Sequence, residues 1–192
     1  MSFWNPTAAE PPSEDVVDVA NRYSPRHVLD VGCGTGRNLV PFDRPGTQLV
    51  GVDRDPEAVD AATSRFARSS ADSVQMHCVD LRTFVPDHEF DLVLCYGVLH
   101  FLSRDDRGNA YQRFRSWVTE EGLVSVVMFN SLVPIPEDLR DLMPDPATDS
   151  SELLEAFADF RIINYSSYVY CDEHENGIRH THSIDRLLAQ RV

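Results

Sequence analysis

Three glycines at alternate positions, Gly32, Gly34 and Gly36, follow the short apolar run Val28-Leu29-Asp30-Val31 and lead into Arg37-Asn38. Glycines so placed turn a buried strand tightly into a helix while leaving backbone N–H groups open to a ligand. Two further acids close later apolar runs: Asp53 after Gln48–Val52, and Asp80 just beyond Ser73–Cys78. A carboxylate at Asp53 accepts hydrogen bonds from both hydroxyls of a ribose. An acid at Asp80 accepts from an adenine amino group while the backbone at Leu81 meets the ring edge. The last stretch, Asp91 to Leu102, is an apolar strand that opens at Tyr96-Gly97. That opening falls at the carboxyl edge of a sheet, where cofactor and substrate meet in folds of this kind. The set reads as a nucleotide-type cofactor site.

Spacing narrows the cofactor. A dinucleotide fingerprint needs a glycine three positions after its second, and that position is Arg37. A phosphate-binding loop ends in Gly-Lys-Ser/Thr, and all 17 basic residues of this chain are arginines. A nicotinamide oxidoreductase is therefore disfavoured and an ATP site nearly excluded. Each candidate also has a plain structural use. Asp30 can satisfy turn amides, Asp53 can cap the next helix, Asp80 can close a turn, and Tyr96 can pack. Four such coincidences in order weigh against that reading.

These residues must be carried by strands and helices in alternation. Strands are expected at His27–Val31, Gln48–Val52, Ser73–Cys78, Phe90–Cys95 and Leu123–Phe129. Ser13 is expected to N-cap a first helix with Glu14 and Asp15 in its first turn, an apolar face of Val16, Val17, Val19, Ala20 and Tyr23, and Pro25 ending it. A short helix limited by Pro41 follows the glycine turn. Another runs from Pro56 to about Arg68, with Ala58, Val59, Ala62 and Phe66 inward. A fourth opens at Ser103, places Tyr111, Phe114, Trp117 and Val118 on one face, and is broken by Gly122. Such alternation gives a parallel sheet covered on both faces. Beyond Asn130 the pattern changes to a Pro-rich crossing over 130–150, a helix over Ser151–Phe157, and two strands, Arg161–Tyr170 and Ile178–Leu188. Joined by the polar turn Asp172–Gly177, these two pair antiparallel. The expected fold is α/β, a doubly wound and mostly parallel seven-stranded sheet ending in an antiparallel hairpin. It forms one domain over 1–192, with an arm over 1–12 that carries Phe3 and Trp4.

A net charge of −14 repels nucleic-acid phosphates and anionic lipids, so neither nucleic acid nor membrane is expected as a partner. The acidic, Lys-free composition also suits a halophilic cytoplasm. Met1–Pro6 carries neither the basic nor the apolar part of a signal peptide, and no apolar run reaches membrane-spanning length. Cys33, Cys78, Cys95 and Cys171 are scattered, as suits reduced thiols in a cytoplasm. His174, His180 and His182 are read as histidines of a partly exposed hairpin, and no metal is expected. A monomer and a homodimer are both open.

The ordered set over about residues 13–130 resembles the class I S-adenosylmethionine-dependent methyltransferases, whose sheet is Rossmann-like. The resemblance implies that Asp30 and the turn Gly32, Cys33, Gly34, Gly36 and Asn38 hold the methionine end of S-adenosylmethionine. It implies that Asp53 takes the ribose, Arg54 lies along the adenine, Asp80 and Leu81 take the adenine edge, and Tyr96 and Gly97 line the methyl exit. Within that class the chain is similar to the tellurite-resistance (TehB-like) group. The likeness rests on Gly36-Arg37-Asn38, on Val98-Leu99-His100-Phe101-Leu102, and on an ending with Glu175-Asn176-Gly177 and Leu187-Leu188-Ala189-Gln190-Arg191. That group implies methyl transfer to a small-molecule acceptor such as tellurite or selenite, with Arg179 on the substrate side. A lone-pair nucleophile of this kind needs in-line placement and water exclusion rather than a general base. The group's His-Arg pair before the Asn-Gly turn is replaced by Cys171-Asp172, which weakens the case for an oxyanion acceptor. His100 is read as a proton acceptor at the methyl site, ahead of a core residue at a helix start. The alternative to an enzyme is a non-catalytic cofactor-binding module of the same fold.

Overall fold

The computed structural model describes residues 10–145, 151–173 and 179–192. The Phe3-Trp4 pair and the turn residues from His174 to Gly177 lie outside them. The strands are β1 (His27–Val31), β2 (Gln48–Asp53), β3 (Ser73–Cys78), β4 (Phe90–Tyr96), β5 (Val118–Phe129), β6 (Arg161–Glu173) and β7 (Arg179–Gln190). The helices are α1 (Glu14–Tyr23), α2 (Pro56–Arg65), α3 (Arg104–Trp117) and α4 (Glu152–Ala156), with 3-10 turns at Arg37–Phe42, Leu99–Phe101 and Glu137–Leu142. The seven-stranded sheet has the order β3-β2-β1-β4-β5-β7-β6. The chain divides into two compact units, one running to Leu94 and including Trp117–Thr119, the other formed by Cys95–Ser116 and Glu120–Val192. Among the described residues no helix is long and apolar enough to cross a membrane.

In the first unit β1, β2 and β3 pair in parallel, with Asp30 opposite Gly51 and Asp53 opposite Cys78. Val28–Val31 and Leu49–Val52 are buried without a break, as strands covered on both faces must be. α1 buries Val16, Val19 and Ala20 but leaves Tyr23 in solvent. Ser13 stands at its N-cap position without using its hydroxyl. Its backbone N–H donates instead to Asn38 Oδ1 (3.0 Å), which ties the helix start to the glycine turn. α2 starts with Pro56 and an Asp55 carboxylate that accepts from Glu57 N–H (2.9 Å). It stops at Arg65, three residues before the expected end, where Phe66 turns in to pack under Gly36.

In the second unit one expectation is overturned. Gly122 breaks no helix: α3 ends at Trp117, and β5 runs from Val118 straight through Gly122. The left-handed residue is Glu121, at φ 62°. Glu121 N–H donates to Arg191 O (3.1 Å) and Arg191 N–H to Gly122 O (2.9 Å), so backbone bonds to the chain end carry the strand through the irregularity. β7 lies between β5 and β6 and is antiparallel to both, with Phe129 opposite Ile184 and Cys171 opposite Thr181. Between Ile162 and Asn164 the β6–β7 register shifts by a bulge.

α3 is fastened to the chain beyond β5 by a buried arginine. Arg107, 1 % exposed, donates through Nε to Glu152 Oε1 (2.7 Å) and through a second nitrogen to Glu152 Oε2 (3.2 Å). Its remaining nitrogen donates to the carbonyls of Leu102 and Asp145. Tyr111 O–H also donates to Glu152 Oε1 (3.0 Å), and burial beside that carboxylate pushes the phenol's pKa upward. Forked geometry and carbonyl partners offset the cost of burying this charge.

Candidate functional site

In the first unit the glycine turn is built from the inside. Gly32, Gly34 and Gly36 take φ of 72°, 53° and 75°. At Gly36 a Cβ would lie 2.8 Å from Phe66 Cε2, so space as well as conformation requires glycine there. The turn amides are committed within the protein rather than left open. Gly32 and Cys33 N–H donate to Val52 O (2.7 and 3.0 Å), Gly36 N–H to Cys33 O (2.8 Å), and Gly34 N–H to Asp53 Oδ2 (2.9 Å). Asp53 Oδ1 accepts from Asp55 N–H (3.0 Å). The turn therefore shapes the crevice, and Asp53 locks it while each of its oxygens keeps a second acceptor position.

Asp30 is only 1 % exposed and receives no hydrogen bond from the described residues. Burial raises its pKa from 3.8 to about 7, against the pull of Arg37 and with a smaller push from Asp53. A buried carboxyl without a donor is uncommon in folded proteins and marks a place where a ligand donor is expected. Cys33 is buried beside it, with its pKa pushed upward mainly by burial, so it is a packed thiol rather than a reactive one. The sulfur fills space above β2, where a Cβ on Gly51 would lie 2.9 Å from Cys33 Sγ.

The other first-unit candidates divide. Asn38 is buried, and its side-chain oxygen serves Ser13. Asp80 is paired in fork geometry with Arg82 (2.9 and 2.7 Å), which holds its pKa below 3.8. Its backbone carbonyl accepts from Thr83 and Phe84, closing a turn. Leu81 is buried, and Arg54 is exposed.

In the second unit Tyr96 hydrogen-bonds Ser125 (2.8 Å), and Gly97, at φ 75°, donates to Val127 O (2.9 Å). Among the described residues, no atom beyond its chain neighbours lies within 4 Å of where a Cβ on Gly97 would be. His100 is 2 % exposed and its Nδ1 accepts from Phe129 N–H (3.2 Å). Its ring stacks on Phe129 at 4.1 Å and 13°, and Phe129 stacks in turn on His182 at 4.7 Å and 11°. Burial, with smaller contributions from His182 and Arg107, lowers the His100 pKa to about 3. The ring is neutral at ordinary pH and is a poor proton acceptor. Arg179 opens β7 opposite Glu173.

Past Phe129 the chain forms a shallow hollow open to solvent, lined by Phe129, Val133, Ile135, Met143 and His182 among others. Sequence reasoning missed it because Val133-Pro134-Ile135-Pro136 was taken as a mere crossing. Apolar residues between prolines were the available signal. Ser125 and Phe129 were missed as partners of Tyr96 and His100 because their contacts span 29 residues each.

Comparison with known proteins agrees with this geometry. A family model described as a methyltransferase domain matches residues 28–122. An ubiquinone biosynthesis O-methyltransferase of Bradyrhizobium sp. (strain ORS 278) is 32 % identical over 111 residues, which are 57 % of this chain and 42 % of that protein. The chain thus spans less than half the length of that curated relative. The crystal structure of TehB from Haemophilus influenzae superposes with a TM-score of 0.79 at 22 % identity, covering 94 % of this chain and 62 % of that one. The N-methyltransferase NodS from Bradyrhizobium japonicum WM9, in complex with S-adenosyl-L-homocysteine, does so with a TM-score of 0.67 at 13 % identity, covering 91 % and 82 %. At such identities the two structures share the fold.

Proposed function

We propose that this chain, whose residues 28–122 match a methyltransferase-domain model, is a class I S-adenosylmethionine-dependent methyltransferase that transfers the cofactor's sulfonium methyl group to a small-molecule acceptor. The observation that carries the proposal is Asp30, a carboxyl buried near the end of β1 with no hydrogen-bond donor among the described residues. It suits the ammonium group of the cofactor's methionine end. Asp53 is the acceptor for the ribose hydroxyls, since both its oxygens are fixed in place by Gly34 and Asp55 and each retains a lone pair. Arg54 is assigned to the adenine face, and Leu81 with Asp80 to its edge. Because Arg82 already occupies the Asp80 carboxylate, Leu81 carries more of that contact than the acid. Tyr96 and Gly97 are assigned to the methyl exit. When bound, the cofactor supplies an already activated methyl group on a sulfonium centre.

The protein's own part is binding, placement and exclusion of water. With His100 neutral and its Nδ1 taken, we assign it a positioning role, as a support for Phe129, rather than that of a base. Arg179 remains the proposed anchor for an anionic acceptor. The acceptor class favoured by the family likeness is a soft, compact nucleophile, tellurite and selenite among them. The relatives' names add hydroxyl acceptors. We place the protein in the cytoplasm, as a monomer or homodimer acting on small molecules.

Calorimetry with S-adenosylmethionine and, separately, NAD tests the cofactor assignment. Preferential binding of S-adenosylmethionine is expected, and tighter NAD binding overturns it. Turnover of labelled methyl against oxyanions, thiols, phenols and amines separates an enzyme from a binding module.

A further inference from the structure

We propose that Arg82 is a positioning residue that sets how strictly the cofactor's base is read: by holding the Asp80 carboxylate, it makes the site tolerant of a purine that lacks the 6-amino group. This rests on the methyltransferase reading above and deepens it at the base-binding end.

The turn after β3 brings Arg82 and Asp80 together. Val79 N–H donates to Asp53 O (2.9 Å), so Asp80 follows directly on the strand end beside the acid proposed for the ribose. Asp80 O accepts from Thr83 N–H (2.9 Å), Phe84 N–H (3.0 Å) and Thr83 Oγ1 (3.1 Å). Leu81 and Phe84 are buried, and Phe84 meets Trp117 edge-on at 5.6 Å. With its apolar residues inside, the turn directs Asp80 and Arg82 outward, their side chains 28 % and 51 % exposed. The bend between them is already fixed, so the guanidinium reaches the carboxylate without ordering further backbone.

The fork takes up most of what Asp80 can offer. A carboxylate has about four acceptor positions, two on each oxygen. Oδ1 accepts from Arg82 N–H (2.9 Å) and Arg82 Nε (2.9 Å), and Oδ2 accepts from Arg82 Nη2 (2.7 Å). The position that Arg82 leaves is on Oδ2, beside a guanidinium that already neutralises the charge. A 6-amino donor bonding there gains little more than it would from a neutral acceptor. A site rejects an analogue strongly when the missing group strands a polar partner, and here Arg82 keeps that partner satisfied.

Removing the guanidinium reverses this. Arg82→Ala keeps the backbone N–H bond to Oδ1 and opens the other positions of an ionised carboxylate. A 6-amino group then makes a charge-assisted bond. The variant is therefore more selective for adenine than wild type.

Calorimetry on the intact chain tests this with S-adenosylhomocysteine and its 6-deamino analogue, in which plain purine replaces adenine. The two ligands differ only at position 6 of the base. The wild-type ratio of affinities is expected to be about threefold and the Arg82→Ala ratio about thirtyfold, as neutral and charge-assisted hydrogen bonds differ. The change falls on S-adenosylhomocysteine, which binds the variant more tightly, while affinity for the analogue stays within about twofold. An Arg82 that only supported the turn would weaken both ligands alike when removed. Adding Asp80→Ala to Arg82→Ala is expected to return the ratio to about threefold or below, which assigns the gain to the carboxylate. A wild-type ratio of about thirtyfold or more overturns the proposal, as does an Arg82→Ala ratio less than about fivefold above wild type. Both outcomes leave the methyltransferase reading standing, since S-adenosylhomocysteine still binds. If neither compound binds wild type or variant, the methyltransferase reading falls and the proposal with it.

Discussion

In the first unit the polar groups of the site sit at the ends of neighbouring parallel strands and reach partners close in sequence. Asp53 holds Gly34, 19 residues away, and Asp55, two residues away. In the second unit Arg107 reaches Glu152 across 45 residues in part-buried surroundings and Asn130 reaches Asp185 across 55 in buried ones. Among the described residues the first arrangement gives the Asp30 carboxyl no hydrogen-bond donor, whereas in the second Asn130 and Ser183 are bonded within the protein. Unsatisfied polar capacity in the first unit suits a polar cofactor.

The largest expected effect falls on the second unit. Arg107→Ala empties the buried guanidinium site and leaves the half-buried Glu152 carboxylate without its forked partner, and is expected to lower stability by about 3 kcal/mol, read from urea unfolding. Arg107→Met with Glu152→Leu is expected to recover most of that loss, since it removes both charges. If the single change costs under about 1 kcal/mol, the pair is not what fastens α3 to the segment after β5.

Next is the cofactor side. Asp53→Ala removes both proposed ribose acceptors and the clamp on Gly34, and is expected to weaken S-adenosylmethionine about 100-fold by calorimetry, about 3 kcal/mol. Asp53→Asn keeps one acceptor and is expected to lose less. Equal affinity in Asp53→Ala and wild type would remove the ribose assignment.

Acid sharpens the contrast further. His100 is held neutral down to about pH 3, whereas the unfolded imidazole takes a proton at about 6.5. The unfolded state therefore binds the extra proton between those values, and stability falls as pH drops below about 6.5. By pH 4.5 the loss from this group is about 2–3 kcal/mol. His100→Phe is expected to flatten that part of the acid limb in thermal melts; an unchanged limb assigns it to other groups.

The smallest effect concerns Asp30, whose shift has the opposite sign. Its folded pKa of about 7 lies above the unfolded 3.8, so the cofactor-free protein retains a proton there and loses that stabilisation as pH rises from about 4 to 7. A cationic ligand group favours the ionised form. S-adenosylmethionine affinity is expected to rise more than tenfold from pH 5 to 7, with proton release seen by calorimetry in buffers of different ionisation enthalpy. Asp30→Asn is expected to abolish that slope. A wild-type profile that is already flat separates Asp30 from the ligand.

Much of the first unit was legible because its signals are local. An apolar run, a glycine bend and an acid at the strand end lie within a dozen residues and leave one way to fold. The β6–β7 pairing was also readable from a polar turn between two strands. The end of α3 was not. Gly122 carries the usual mark of a helix stop, but the backbone of Arg191, nearly 70 residues later, bonds on both sides of the peptide and holds it in a strand. The open amides expected of the glycine turn were likewise taken up, by Val52 and Asp53, which only the parallel pairing brings alongside.

The amino-acid sequence by itself determined the order of strands and helices, the bend at Gly32–Gly36 and the acids that follow it, since backbone conformation and apolar periodicity are set over short spans. Only the tertiary structure decided which of those groups have spare bonding capacity. It gave Asp30 no donor among the described residues, bound Asp80 to Arg82 and stacked His100 on Phe129. Hydrogen-bond satisfaction and burial depend on what packs against a residue from far along the chain, and residue type does not record that.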